Sequence, residues 1–295
     1  MPVVANTRLN PRLLGALGAL ALTGGALGVV APASAATGTL AYTCTVPVSG
    51  AKPFTAVADT DAPGKIAYGE TVTPTATGTI TFPEDVTTTL RDTVGAKKVD
   101  GKADVAATVD GVATPWTLAV PQTNVPPNGS LVLTGTGPAG TFTGTKVGTV
   151  FDIAVGNFTA TINTYQANGT PTTTLPTAVV PCVLNPGQNA AVDTIKVVKD
   201  VTTTTVKAPD ISKGEQARAK VKVVSDHGQT AKGKIKAKLV RNGKVMVTKL
   251  VSLQEGKRKV KFVSLTKTGN YSVKVKYVGN ENFKGSSSKD AFTVG

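Results

Sequence analysis

Apolar and polar residues alternate with a period of two over most of the chain beyond residue 36. Leu40-Ala41-Tyr42-Thr43-Cys44-Thr45-Val46 sets large apolar side chains against small or polar ones, as in a strand with one face in a core and the other in water. The same reading predicts strands over Gly78 to Phe82, Asp104 to Val109, Trp116 to Val120, Ser130 to Thr134, Val150 to Val155, Phe158 to Thr164 and Thr177 to Leu184. Turn residues divide them: Ala62-Pro63-Gly64, Val125-Pro126-Pro127-Asn128-Gly129, Gly135 to Gly140 and Asn168-Gly169-Thr170-Pro171. A single short helix is predicted over Pro83 to Val94. Pro83 presets its first turn, Glu84 and Asp85 complement its positive end, and Gly95 stops it.

Past the turn-like Pro186-Gly187-Gln188-Asn189, Val192 to Val201 reads as a linking segment or a first strand. Seven strands follow: Thr202 to Val206, Gln216 to Val224, Gly233 to Arg241, Lys244 to Val251, Lys257 to Val263, Asn270 to Val278 and Ser286 to Val294. Short, evenly spaced strands joined by turns such as Asn242-Gly243 predict a sandwich of immunoglobulin-like topology. The chain is therefore expected to be all-β, with two β-sandwich-like domains. The first is placed over residues 36–190 and the second over 201–295, with 191–200 as a linker.

Charge separates the two halves. Residues 201–295 hold 21 Lys and Arg against 6 Asp and Glu, a net of +15, whereas residues 37–200 hold 9 against 12, a net of −3. In the second half the cations keep the strand period: Arg218, Lys220 and Lys222; Lys234, Lys236 and Lys238; Lys257, Lys259 and Lys261; Lys274 and Lys276. Each run thus has one apolar and one cationic face. Same-face neighbours along a strand lie about 7 Å apart, inside the Debye length of about 8 Å at physiological salt, so their charges act together. Lys220, Lys222, Lys234, Lys236, Lys238, Lys259, Lys261, Lys274 and Lys276 are the candidate polyanion-binding residues. The competing reading makes the same charges a guard against edge pairing between sheets.

The N-terminus has the composition of a signal peptide. Arg8 and Arg12 precede an apolar stretch from Leu13 to Val30, and Ala33-Ser34-Ala35 is a small-residue cleavage signal, which places cleavage after Ala35. A retained transmembrane anchor is the competing reading. No sorting motif or hydrophobic tail is read at Phe292-Thr293-Val294-Gly295, so any attachment to a surface is expected to be non-covalent. Export exposes the only two cysteines, Cys44 and Cys182, to an oxidising compartment, where one intramolecular bridge is expected. Closing so long a loop stabilises a fold by about 5 kcal/mol at most in the chain-entropy model. A thiolate or metal pair is the weaker alternative, since the first module has no His and neither Cys has a basic neighbour.

Two stretches resemble known families. Lys213-Gly214-Glu215-Gln216, Gly233, Gly243 and Gly269-Asn270-Tyr271, followed by Tyr277-Val278-Gly279-Asn280-Glu281-Asn282-Phe283-Lys284-Gly285-Ser286, resemble the bacterial Ig-like repeat domain over about residues 200–295. That resemblance implies a spacer or adhesive sandwich without catalytic residues; the lysine density departs from its pattern. Leu40-Ala41-Tyr42-Thr43-Cys44 and Pro181-Cys182-Val183-Leu184-Asn185-Pro186-Gly187-Gln188 are similar to an uncharacterised secreted domain of high-GC Gram-positive bacteria, spanning about residues 38–190. This second resemblance implies a Cys44–Cys182 bridge and no particular activity.

The sequence offers little for catalysis. His227 is the only histidine and sits in the hydrophilic turn Ser225-Asp226-His227-Gly228, which reads as a solvated turn rather than a base with an orienting partner. Asp59 and Asp61 lie in a Pro-Gly loop, where capping accounts for them better than calcium, because the other oxygen ligands are missing. Glu84 and Asp85 are explained by the helix dipole before paired-carboxylate chemistry. Trp116 is placed in the first core in preference to a sugar-stacking platform. The Asn-x-Ser/Thr triplets at Asn128, Asn157, Asn168 and Asn270, and the Thr tracts, are read as incidental.

No cofactor, metal or enzymatic activity is expected. The sequence points to a secreted, non-enzymatic surface protein whose partner is an anionic wall polymer or glycan. Nucleic acid ranks lower, because the basic runs lack interleaved exposed aromatics. A structural or adhesive spacer is the runner-up, and an exported hydrolase in the first module comes third.

Overall fold

The computed structural model describes residues 36–295; the predicted signal peptide, residues 1–35, lies outside the described residues. The first module contains β1 (Leu40–Val46), β2 (Gly50–Thr60), β3 (Lys65–Ala67), β4 (Thr71–Val72) and β5 (Thr75–Thr81), then α1 (Glu84–Thr88). It continues with β6 (Lys98–Val109), β7 (Val112–Ala113), β8 (Trp116–Asn124), β9 (Val132–Pro138), β10 (Phe142–Thr143), β11 (Val150–Tyr165), β12 (Thr177–Leu184) and β13 (Ala191–Val198). Alternation placed Leu40–Val46 and Thr177–Leu184 to the residue. It missed β2, where Pro53 and a run of small residues hide the pattern. Pro53 lies in the part of β2 that pairs with β1 but that β5, joining only from Thr55, does not reach, so its missing N–H spares the ladder.

Eleven strands share one sheet, and β6 pairs with β11 as well as with β8. That second pairing closes the sheet into an antiparallel ring, β1-β2-β5-β9-β8-β6-β11-β12. Its opposed walls pack like the layers of a sandwich. Glycine permits the closure: Gly101 has φ +153, and a Cβ there would overlap the carbonyl oxygen of Thr161 on β11. Alternate residues fill the interior, among them Leu40, Tyr42, Phe54, Trp116, Leu118, Leu133, Phe158 and Ile162. Edge-to-face contacts, Tyr42–Phe158 and Phe54–Phe82, each at 4.8 Å, join nearby segments inside the ring.

The sequence breaks β11 at Gly156-Asn157, yet the strand runs through. Pairing with β6 shifts register between Val155 and Phe158, a bulge that absorbs one extra residue without ending the ladder. The predicted helix forms as α1 followed by one π-helical turn, Thr89–Thr93, in which the Val94 N–H donates to the Thr89 carbonyl at 3.0 Å.

Cys44 and Cys182 are directly opposite each other on β1 and β12 and are disulfide-bonded, with Cα atoms 4.0 Å apart. Both are buried, at 0% and 1% exposure. The expected linker, residues 191–200, is a correction: β13 pairs antiparallel with β11 and parallel with β3, burying Val192, Ile195 and Val197. The Ile195-Lys196-Val197 alternation belongs to the first sheet, and the charge discontinuity after it does not mark a slack segment.

The second module consists of β14 (Thr202–Lys207), β15 (Gln216–Ser225), β16 (Lys234–Arg241), β17 (Lys244–Ser252), β18 (Lys257–Ser264), β19 (Gly269–Tyr277) and β20 (Ser286–Val294). They form a three-stranded sheet, β14-β15-β18, packed on a four-stranded sheet, β17-β16-β19-β20. Ala217, Ala219, Val221 and Val223 of β15 meet Ile235, Ala237 and Leu239 of β16 and Val273, Val275 and Tyr277 of β19 in one core. Asn242 and Gly243, at φ 45 and 76, turn β16 into β17 as a two-residue hairpin must.

The Cys44–Cys182 bridge spans 138 residues of sequence, so replacing both cysteines by Ala is expected to destabilise the protein by about 2–5 kcal/mol. Thermal unfolding of the mature chain measures this. A variant melting with the parent would show that closure of the sheet alone holds the first module.

Candidate polyanion-binding faces

Strand parity fixes where each candidate lysine points, and the sandwich sorts them into two groups. On β15, Ala217, Ala219, Val221 and Val223 face inward, leaving Arg218, Lys220 and Lys222 exposed. On β18, Val260 and Phe262 face inward, leaving Lys257, Lys259 and Lys261 exposed. Antiparallel register sets these opposite one another: Arg218 faces Lys261, Lys220 faces Lys259 and Lys222 faces Lys257. Lys207 of β14 extends the middle row, being the partner of Lys220. Two adjoining depressions run over this face, of about 450 and 640 Å³.

Lys234, Lys236 and Lys238 of β16 and Lys274 and Lys276 of β19 lie on the outer side of the other sheet. Lys236 faces Lys276, and Lys238 faces Lys274, which in turn faces Lys289 of β20. Lys238 is half-buried and the other four are exposed. The nine candidates therefore do not converge. Lys220, Lys222, Lys259 and Lys261 share one face, and the remaining five share its opposite. Lys207 and Lys289 were missed, although parity with Thr203 and Thr205, and with Ser287, signals both. Among the described residues none of these cations forms an ion pair; the only second-module group that does is His227.

The first module holds an apolar cavity of about 60 Å³ lined by residues such as Tyr42, Trp116, Leu118, Phe158 and Ile162, with no carboxylate in its wall. Trp116 is buried at 2% exposure, and its indole N–H donates to the Ala139 carbonyl at 3.1 Å. Asp61 and Asp59 cap their loop, accepting from the Thr75 N–H at 2.6 Å and the Thr60 N–H at 2.8 Å. Lys52 donates to Asp85 at 2.6 Å, and that hydrogen bond holds the Asp85 carboxyl below its ordinary range.

The sequence profile of a family of unknown function, DUF6801, matches residues 41–193, more than half of the chain and nearly the whole of the first module. The chain belongs to the DUF6801 family. The match covers the stretch over which the sequence resembles an uncharacterised secreted domain, and it includes both cysteines. No curated protein matches the chain. Among solved structures it is similar to a protein of Corynebacterium diphtheriae described as membrane anchored, at 12% identity and TM-score 0.33 over 88% of this chain and 58% of that one. It is also similar to fibronectin(III)-like modules of Clostridium thermocellum CbhA, at 11% identity and TM-score 0.25 over 80% and 92%. The chain thus spans little more than half the length of the Corynebacterium protein. Among the described residues no helix is long and apolar enough to cross a membrane.

His227 is not the free turn residue that its neighbours suggest. Its Nδ1 is 2.8 Å from Oδ1 of Asp200, a carboxylate at 0% exposure, and its Nε2 lies 3.7 Å from Glu70 of the DUF6801 domain. Tyr68 meets Phe283 edge-on at 5.6 Å beside this cluster. The histidine thus ties the two modules together, and the sequence carries no signal for it because the partners lie far apart along the chain.

Within the DUF6801 domain Asp193 is buried, at 5% exposure, and hydrogen-bonded by the Thr60 hydroxyl. Burial pushes its carboxyl up; the Thr60 hydroxyl opposes this and the charge of Asp59 reinforces it, leaving a net upward shift. A carboxyl raised on folding contributes its stability in full below the ordinary carboxylate range and loses it as pH rises through the raised value. Asp193→Asn is therefore expected to raise the melting temperature at pH 7 and to leave it unchanged near the acid limit of folding. Melting curves across that range test the sign, and a variant less stable at neutral pH would contradict it.

Proposed function

We propose that the protein is a secreted, non-enzymatic surface protein whose second module, an immunoglobulin-like sandwich, holds anionic wall polymers or acidic glycans on its basic faces. The observation that carries this reading is the set of directly opposed cation pairs such as Lys220–Lys259 and Lys238–Lys274, none of them joined to an acid in an ion pair among the described residues. Like charges facing each other across a ladder destabilise a sheet, and a bound polyanion relieves that repulsion. Protection of sheet edges accounts for less of the pattern. Lys220, Lys222, Lys234, Lys236, Lys238, Lys274 and Lys276 lie on β15, β16 and β19, the inner strands of their sheets, where no open edge needs guarding.

The kind of polymer follows from what surrounds the cations. The second-module aromatics Phe262, Tyr271, Tyr277, Phe283 and Phe292 are all buried, so the faces offer charge without stacking platforms. A flexible polymer of repeating phosphate or carboxylate suits such a surface better than bases do. The Cys44–Cys182 bridge and the leader-like composition of residues 1–35 support export. In the alternative reading, the sandwich is a spacer and its charges serve solubility alone.

The test is retention of the mature chain on cell-wall preparations. Binding at low salt should weaken steeply and log-linearly as salt rises, as for other polyanion ligands. Reversing Lys220, Lys259, Lys236 and Lys274 to Glu is expected to abolish retention while shifting stability by no more than about 0.5 kcal/mol per exposed site. Retention equal to the parent's would leave the spacer reading.

A further inference from the structure

We infer that the second module is bivalent: its two outer faces take separate strands of polyanion, so that one protein molecule cross-links them. The inference rests on the polyanion reading above and adds to it a number of sites and a consequence. Lys220, Lys222 and Lys259 stand on the β14-β15-β18 sheet, and Lys236, Lys238 and Lys274 on the β17-β16-β19-β20 sheet. Packed sheets lie about 10 Å apart, and their outer side chains point away from each other. The charged ends of the two sets are therefore separated by more than the Debye length of about 8 Å. An anion strand on one face leaves the other's charge unscreened and free to recruit a second.

One strand reaching both faces has to pass around an edge of the sandwich. Across the β14/β20 edge the buried Thr202 and Thr204 hydrogen-bond Ser286 at 2.9 and 2.6 Å, and Asp290 accepts from the Ala208 N–H at 2.7 Å. Exposed Lys207 of β14 and Lys289 of β20 flank this edge, so wrapping here is one competing path. At the β17/β18 edge Lys249 and Arg258 are half-buried, so wrapping around that side is a second competing path. A chain too short to turn the edge separates the two arrangements.

Calorimetric titration of the mature chain with polyphosphate no longer than β15 is expected to give two chains per protein. Long polyphosphate should produce turbidity that peaks at an intermediate ratio and clears in excess. One variant carries Lys220→Glu, Lys222→Glu and Lys259→Glu; another carries Lys236→Glu, Lys238→Glu and Lys274→Glu. Each should retain one short chain per protein and lose the turbidity, and the combination should bind none. The same positions changed to Gln provide a second set should the reversed charges impair folding, with melting curves as the control.

No binding by the parent at low salt would overturn the polyanion reading and this inference together. One short chain per parent molecule, abolished by one variant and untouched by the other, would leave polyanion binding standing and overturn bivalency. So would a single chain weakened by both variants, which is the signature of wrapping.

Discussion

The pairing of β6 with β11 is the constraint on which the first module depends. Without it the sheet is an open ribbon with two free edges; with it, eight strands close and their inward residues share one core. The seam is tight enough that Gly101 has to lie against the Thr161 carbonyl. β11 then carries more than the closure. Its other side holds β12, which the disulfide locks to β1, and β13, which leads to the second module. One sixteen-residue strand thus joins ring, bridge and exit.

The two modules meet different physical demands. The DUF6801 domain is close to neutral and consolidates itself by closure, a covalent staple and an apolar interior. The second module lacks a staple and keeps a small core, yet concentrates cations on both exterior surfaces. A sheet that stacks like charges in register gives up stability, and the buried Tyr277, Leu239 and Ile235 offset that loss from inside. The junction joins these regimes through Asp200, His227 and Glu70, beside the aromatic contact of Tyr68 with Phe283.

Much of the architecture was legible because it is local. The period of two in Ser286 to Val294 and in Thr177 to Leu184 sets strand limits directly, and Asn242-Gly243 specifies its own turn. What periodicity cannot say is which strand meets which. Closure at Gly101 depends on an oxygen sixty residues further along, and a bulge hid the continuity of β11 at Gly156-Asn157. The candidate site shows the same division. Parity correctly exposed Lys220 and Lys274, but whether they share a surface is a property of the sheet partition. His227 was read from its hydrophilic neighbours, while its environment is set by Asp200 and Glu70. The change in charge near residue 200 drew attention away from the apolar alternation that places β13 in the first sheet.

That placement has a mechanical meaning. Only three residues, Lys199 to Val201, separate β13 from β14. The middle one is pinned, its N–H donating to the Asn282 carbonyl at 2.9 Å and its carbonyl accepting from the Lys284 N–H at 2.8 Å. Tension on the second module therefore has no slack to take up and passes straight into β13. There it runs along the strand axis, so that the ladders to β11 and β3 are loaded in shear, many bonds at once, instead of being peeled singly. From β11 the load passes through β12 to β1 across a covalent bond. Along that path the strongest link, the Cys44–Cys182 bond, lies farthest from the second module.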